Sequence, residues 1–158
     1  MDGTLTPVRD KMSVEIFEAL HRLKDKFNIG IVSGSGFEYI EEQCGALLSS
    51  EIDLDIYPCN GTIKLEKRGM DISLIEKNNM VDQIGEEKFK RLTEEILRKQ
   101  LWLIKNFKEN FLFTGTYIQY RKSMINWCMC GRDSEKRERE SFSKFEKETN
   151  IRKLLVSM

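Results

Sequence analysis

Met1-Asp2-Gly3-Thr4-Leu5-Thr6, followed closely by Pro7 and Arg9, sets a carboxylate against a glycine turn and two hydroxyls. Alone it reads as a surface turn, because Asp-Gly marks turns in many unrelated proteins. Its downstream neighbours give it weight. Ser13 precedes Val14, Phe17, Leu20 and Leu23, a helical apolar stripe with an N-cap that ends near Phe27. Asn28 to Val32 is then a nearly continuous apolar strand, as expected for one covered on both faces in a parallel sheet. Ser35-Gly36-Phe37-Glu38 has the spacing of a capping box for a second helix, with Phe37, Ile40 and Cys44 on one face and Gly45 near its end. Strand, turn and helix make one βα unit, so the expected fold class is α/β.

At that junction sits Ser33-Gly34-Ser35. Glycine lets the backbone approach closely, N–H groups at a helix start point outward, and the two hydroxyls add donors, so a phosphate can be held there. Taken in isolation the tripeptide is a helix start and nothing more. Beside Asp2 it becomes one half of a phosphate site.

Composition narrows the partners. The chain has 158 residues, enough for one domain or two small units, with 26 basic against 26 acidic residues. That balance gives no long-range field toward nucleic acid or a membrane. No apolar run approaches the ~20 residues of a spanning helix and no charged-then-apolar leader is present, so the chain reads as cytosolic. Cys44, Cys59, Cys128 and Cys130 lack the Cys-x-x-Cys spacing of zinc sites. His21, the only histidine, falls on the polar side of the first helix. Zinc-dependent and histidine-triad mechanisms are therefore set aside.

Farther along, Ile52 to Tyr57 reads as a strand closed by Pro58-Cys59-Asn60-Gly61. Alternation over 62–66 and 71–74 about a Lys67-Arg68-Gly69 turn predicts an antiparallel hairpin. The character changes near Gly85. A long charged helix is expected from Glu86 to about Lys105 with Phe89, Leu92, Ile96 and Leu103 on its stripe, then strands near Phe111–Arg121 and Met124–Cys130, then a charged helix from Ser134 to about Lys147. The boundary is placed at 80–85, giving units 1–82 and 83–158. Strand alternation sets Met124, Asn126, Cys128 and Cys130 on one face, and Ile125, Trp127 and Met129 on the core face. Arg121, Arg132 and Arg139 are the candidate phosphate grip of this second unit, since guanidinium forks suit phosphate; Arg137 reads as solvated charge.

These pieces together resemble the eukaryotic phosphomannomutases of the haloacid dehalogenase (HAD) superfamily. The family's opening Asp-x-Asp-Gly-Thr-Leu-Thr with its later arginine is matched by Asp2-Gly3-Thr4-Leu5-Thr6 and Arg9. Its Val-Gly-Gly-Ser, Glu-Gln-x-Gly and Pro-x-Asn-Gly segments are matched by Val32-Ser33-Gly34-Ser35, Glu42-Gln43-Cys44-Gly45 and Pro58-Cys59-Asn60-Gly61. In the second unit Gly115-Thr116-Tyr117-Ile118-Gln119-Tyr120-Arg121, Met124-Ile125-Asn126, Gly131-Arg132, Arg139 and Asn150-Ile151-Arg152-Lys153 continue the match in order.

The resemblance implies a HAD-like Rossmannoid core with an inserted α+β cap domain, incomplete in this chain. It implies interconversion of mannose 6-phosphate and mannose 1-phosphate through an aspartyl phosphate and a sugar bisphosphate, feeding GDP-mannose synthesis. Asp2 is then the general acid/base, and its backbone carbonyl a Mg²⁺ ligand; Thr4, Ser33, Gly34 and Ser35 bind the transferring phosphate. Arg9 contacts sugar phosphate near the core, Arg121, Arg132 and Arg139 hold the distal phosphate, and Asn126 meets a sugar hydroxyl. Mannose or glucose 1,6-bisphosphate is the expected activator, and a homodimer through the cap the expected assembly.

The chain also departs from the family's pattern. Ser33 stands for its first glycine, Gly36 for its aspartate, Lys122-Ser123 for its Asn-Gly, and Cys128 and Met129 for its Ser-Pro. The nucleophilic aspartate would precede Met1, and the later lysine and acidic metal loop would follow Met158, so the chain alone is expected to be inactive. A HAD sugar phosphatase and a non-catalytic phosphosugar-binding remnant remain as other readings.

Overall fold

The computed structural model describes residues 1, 3–7 and 10–158, so the expectations placed on Asp2 and Arg9 lie outside the described residues. The chain divides into two compact units, Met1–Asn79 with Arg121–Met124, and Met80–Tyr120 with Ile125–Met158.

In the first unit α1 (Val14–Leu23) is capped by Ser13, whose hydroxyl accepts from the Ile16 N–H. Strand β1 (Ile29–Val32) pairs in parallel with β2 (Leu54–Tyr57), Ile31 opposite Ile56. Parallel neighbours need a crossover, which α2 (Phe37–Leu48) supplies. Strands β3 (Ile63–Arg68) and β4 (Asp71–Lys77) then add in antiparallel order, completing a four-stranded sheet β1-β2-β3-β4. The inner face of α2, carrying Ile40, Cys44 and Leu47, is fully buried with Ile52, Leu54 and Ile56 beneath it. Each such aliphatic side chain contributes about 1.5–3 kcal/mol by leaving water.

Three local expectations are corrected. The N-cap of α2 is Gly36, with no side-chain cap bond, rather than Ser35. The Ser35 carbonyl is taken by the Cys59 N–H at 2.9 Å, which holds Ser35 one residue outside the helix. The helix also runs through Gly45 to Leu48, because Leu47 and Leu48 are both buried and their packing carries the last turn; Cys44 marks a kink with φ −118° and ψ 23°. Finally, the hairpin turns at Gly69–Met70, and Lys67 belongs to β3 with its side chain wholly buried. Its ammonium donates to the carbonyls of Ser50 at 2.6 Å, Ile52 at 2.8 Å and Gly69 at 2.5 Å. Burial lowers the Lys67 pKa, partly countered by the charge of Asp53.

The second unit opens with α3 (Met80–Ile84) and the long α4 (Glu86–Phe107), which buries Ile96, Gln100 and Leu103 and carries exposed pairs such as Arg98–Glu94 at 2.6 Å. Strands β5 (Ile118–Tyr120) and β6 (Ile125–Trp127) form an antiparallel pair, followed by α5 (Lys136–Thr149) and α6 (Ile151–Ser157). Both strands are much shorter than expected. Positive φ at Phe113 (53°), Gly115 (82°) and Gly131 (96°) turns the flanking segments away from extended pairing. Leu103, Met129, Phe142, Ile151 and Leu155 form the core, with Phe111 edge-on to Phe142 and Phe145 at 5.2 and 5.1 Å. Among the described residues no helix is long and apolar enough to cross a membrane.

Candidate functional site

Several of the expected site residues gather at one end of the first unit's sheet. Gly3, with φ +74°, forms the opening turn: its N–H donates to the Thr6 carbonyl at 2.7 Å, while the N–H groups of Thr4 and Leu5 donate to Met1. The amino group of Met1 reaches the Val32 carbonyl at 3.4 Å, so this turn lies beside the C-terminal end of β1 where Ser33 begins. Thr4 is exposed there, whereas Thr6 is buried and its hydroxyl has no partner among the described residues.

The Ser33-Gly34-Ser35 junction is shaped from inside. The buried Ser33 hydroxyl accepts from the Ser35 N–H at 3.1 Å, closing a small turn. Its N–H donates to Tyr57 at 3.1 Å and its carbonyl accepts from Asn60 at 2.8 Å. Asn60 sits in a short 3₁₀ turn, Cys59–Gly61, with left-handed backbone at φ 57°. Gly34 faces that residue: a Cβ there would lie 3.1 Å from Asn60 Oδ1. The Arg121 guanidinium, grouped with this first unit, donates to the Gly34 carbonyl. With those carbonyls occupied, the junction presents the first N–H groups of α2, which have no intrahelical partner, and the hydroxyl of the half-buried Ser35, alongside two acceptors, Asn60 Oδ1 beside Gly34 and the Glu38 carboxylate beside Gly36.

The remaining expected residues lie in the second unit. Asn126 is half-buried in β6 opposite Gln119. Arg132 is half-buried, and its N–H donates to the Thr116 carbonyl at 2.9 Å. Arg139, on the first turns of α5, donates through its guanidinium to the Ser134 carbonyl. Arg132 and Arg139 thus both belong to the structure around the 130–134 turn, while Arg121 belongs with the Ser33–Ser35 junction. Arg137 is exposed, as solvated charge is.

Two glycines lock this turn. A Cβ on Gly131 would lie 1.4 Å from the Thr114 carbonyl oxygen, and one on Gly115 would lie 2.1 Å from Asp133 Oδ2. The Asp133 carboxylate also accepts from the Thr116 N–H at 3.2 Å. Arg132 is therefore carried on two crossing backbone segments that only glycine permits to touch.

Sequence reasoning passed over two residues here. Gln100, buried among apolar neighbours on α4, donates to the Met129 carbonyl at 3.0 Å and accepts from the Trp127 indole at 2.8 Å. It stands one helical turn beyond Ile96 on the apolar stripe, the only available signal. The second is Cys130, whose thiol is lowered to about 6. A hydrogen bond from Cys128 is the main cause; Ser134 and the charge of Arg139 assist and burial opposes.

Mixed sheet and crossover helix define an α/β protein with a parallel strand pair at one edge of its sheet. The description "Eukaryotic phosphomannomutase" matches residues 16–158, and the chain belongs to that family. It is 36% identical to a phosphomannomutase of Galdieria sulphuraria over 99% of its length, and 33% identical to phosphomannomutase 2 of Dictyostelium discoideum over 100%. It spans 58% and 59% of those two relatives. A trehalose-6-phosphate phosphatase of Aspergillus fumigatus superposes on 96% of this chain and 52% of its own, at 15% identity and a TM-score of 0.38.

Proposed function

We propose that this protein serves phosphomannomutase chemistry, interconverting mannose 6-phosphate and mannose 1-phosphate. Family membership extending through both units is the observation that carries the reading. In it the Ser33–Ser35 junction and Thr4 bind the phosphoryl group being transferred. Asp2 takes the proton of the attacking sugar hydroxyl and returns it afterwards, a role a carboxylate fills readily. Arg9 neutralises phosphate charge near the core, Arg121, Arg132 and Arg139 grip the distal phosphate, and Asn126 hydrogen-bonds the sugar. Phosphoryl transfer rests mainly on positioning and charge stabilisation, so cationic donors carry most of the load.

Mg²⁺ belongs to this reading through Asp2. Among the described residues no three His, Cys, Asp or Glu side chains gather, so these residues do not themselves supply its site and no step here is routed through the ion. The nucleophilic aspartate, a hexose bisphosphate activator, a cytoplasmic location and a cap-mediated homodimer complete the proposal.

Because the chain spans 58% and 59% of those relatives, the test is phosphorus NMR of mannose 6-phosphate with the protein at their full length, Mg²⁺ and a catalytic amount of hexose 1,6-bisphosphate. Appearance of mannose 1-phosphate that depends on the bisphosphate supports the mutase. Net release of inorganic phosphate would instead make it a sugar phosphatase. Binding without turnover would leave a phosphosugar-binding protein.

A further inference from the structure

The turn at residues 121–124 is bent more tightly than a chain reversal requires. Its Ser123 N–H donates back to the Arg121 carbonyl at 2.7 Å, closing a three-residue turn with Lys122 at φ 61°, inside the Arg121 N–H bond to the Met124 carbonyl at 2.9 Å. A three-residue turn about a positive φ is strained for any residue but glycine, and such strain persists only where the surroundings hold it. Lys122 is exposed, whereas Ser123 is buried.

What holds Ser123 belongs to the first unit, with which this turn is grouped. The Thr62 hydroxyl donates to the Ser123 oxygen at 2.7 Å, and the Ser123 hydroxyl donates onward to the Arg121 carbonyl at 3.3 Å. Thr62 is itself fixed at the end of the 3₁₀ turn, where its N–H and its hydroxyl both reach the Cys59 carbonyl, at 3.3 and 2.7 Å. The N–H groups of Cys59 and Asn60 in turn donate to Ser35 and Ser33 at 2.9 and 2.8 Å. From Arg121 the guanidinium returns to the Gly34 carbonyl. These contacts close a ring that starts and ends at the Ser33–Ser35 junction. Arg121 is pinned in it twice, by its main chain at Ser123 and by its side chain at Gly34.

Resting on the reading that Arg121 binds a phosphosugar, we propose that Thr62 and Ser123 are positioning residues whose paired hydroxyls hold the strained turn and so aim the Arg121 guanidinium at the junction. A guanidinium carries its N–H donors in a rigid fork, so the donor spent on Gly34 fixes the direction of the others. A long side chain left unfixed must be ordered when the ligand arrives, which lowers affinity by roughly 2- to 10-fold. Thr62 and Ser123 remove that loss beforehand without touching the ligand. Truncating Ser123 orphans nothing, because the Thr62 proton then rests on the Cys59 carbonyl alone, so the effect falls on Arg121 rather than on the fold.

The test uses the protein at the full length of its relatives and two readouts. In nitrogen-15 NMR without ligand, the Arg121 guanidinium should give separate, slowly exchanging Nη signals. Thr62→Val and Ser123→Ala should average them, while Thr62→Ser, which keeps the hydroxyl, should preserve them. In titration calorimetry, Ser123→Ala should weaken mannose 6-phosphate binding by about threefold or more, yet add nothing in an Arg121→Ala background, because it acts only through that side chain. Unchanged Arg121 signals in Ser123→Ala, or equal weakening with and without Arg121, would overturn the proposal. Absence of mannose 6-phosphate binding by the parent would instead remove the phosphosugar reading, and the NMR comparison alone would then uphold or overturn the placement of Arg121.

Discussion

Lys67→Met tests whether the buried ammonium of β3 stabilises the first unit or burdens it. Methionine retains the apolar stem but offers no donor, so the carbonyls of Ser50, Ile52 and Gly69 lose their partner together. The contact to Ile52 is buried, and an unsatisfied carbonyl there costs about 1–3 kcal/mol. The other two are partly buried and recover water, leaving roughly 0.5–1 kcal/mol each. Against this, removing a buried charge relieves a smaller desolvation penalty, because three carbonyl dipoles already solvate the ammonium. Because three acceptors face one cation, the loss should win by about 2 kcal/mol, or roughly 4–8 °C in melting temperature for a chain of this size. Urea denaturation followed by circular dichroism should show a lower midpoint with an unchanged slope. A variant as stable as the parent, or more so, would refute the reasoning and make the ammonium a net burden. The pH dependence gives a second check. Burial lowers the folded pKa below the ordinary 10.5, so the unfolded chain binds more protons between the two values. The stability of the parent over Lys67→Met should therefore rise with pH across that window and level off above 10.5.

Gly131→Ala should be among the most damaging single substitutions, costing more than about 3 kcal/mol, since its Cβ would fall 1.4 Å from the Thr114 oxygen at φ 96°; thermal denaturation measures it, and a loss under 1 kcal/mol would deny the close crossing. Tyr117 donates to the Phe113 carbonyl and is raised above its ordinary 10.0 by burial. Its contribution to stability should be complete below pH 10 and fade as the pH climbs through the folded value, with the 295 nm phenolate absorbance appearing late in the native protein and early in urea. Asn150 joins α5 to α6 in left-handed backbone at φ 51°. Asn150→Val should cost about 1–2 kcal/mol and Asn150→Gly almost nothing, read from urea midpoints.

Much of the architecture was legible because period and punctuation agree. Ser13 and the stripe Val14-Phe17-Leu20 place the start of α1 to the residue, though the helix ends at Leu23 rather than near Phe27, and the apolar run before Ser33 announces a parallel strand. What escaped was set by distant contacts. Lys67 reads as turn chemistry because nothing local reveals that three carbonyls will enclose it, two of them from residues far back along the chain. The second unit's strands read too long because their alternation persists past left-handed Gly115 and into the turn that the Gly131 N–H closes onto the Cys128 carbonyl. For the site, motif spacing located the Ser33–Ser35 junction, but not that Ser33 turns its hydroxyl inward to Ser35. Nor could pattern show that Arg121 meets the Gly34 carbonyl.

The 3.1 Å that would separate a Cβ at position 34 from Asn60 Oδ1 bears on how such sequences can drift. A larger residue at 34 has no room while Asn60 keeps its position. A different residue at 60 must still adopt φ 57° and still donate its N–H to Ser33. A side chain at 34 therefore asks the Asn60 amide to give by a few tenths of an ångström, so what position 34 tolerates depends on what stands at 60.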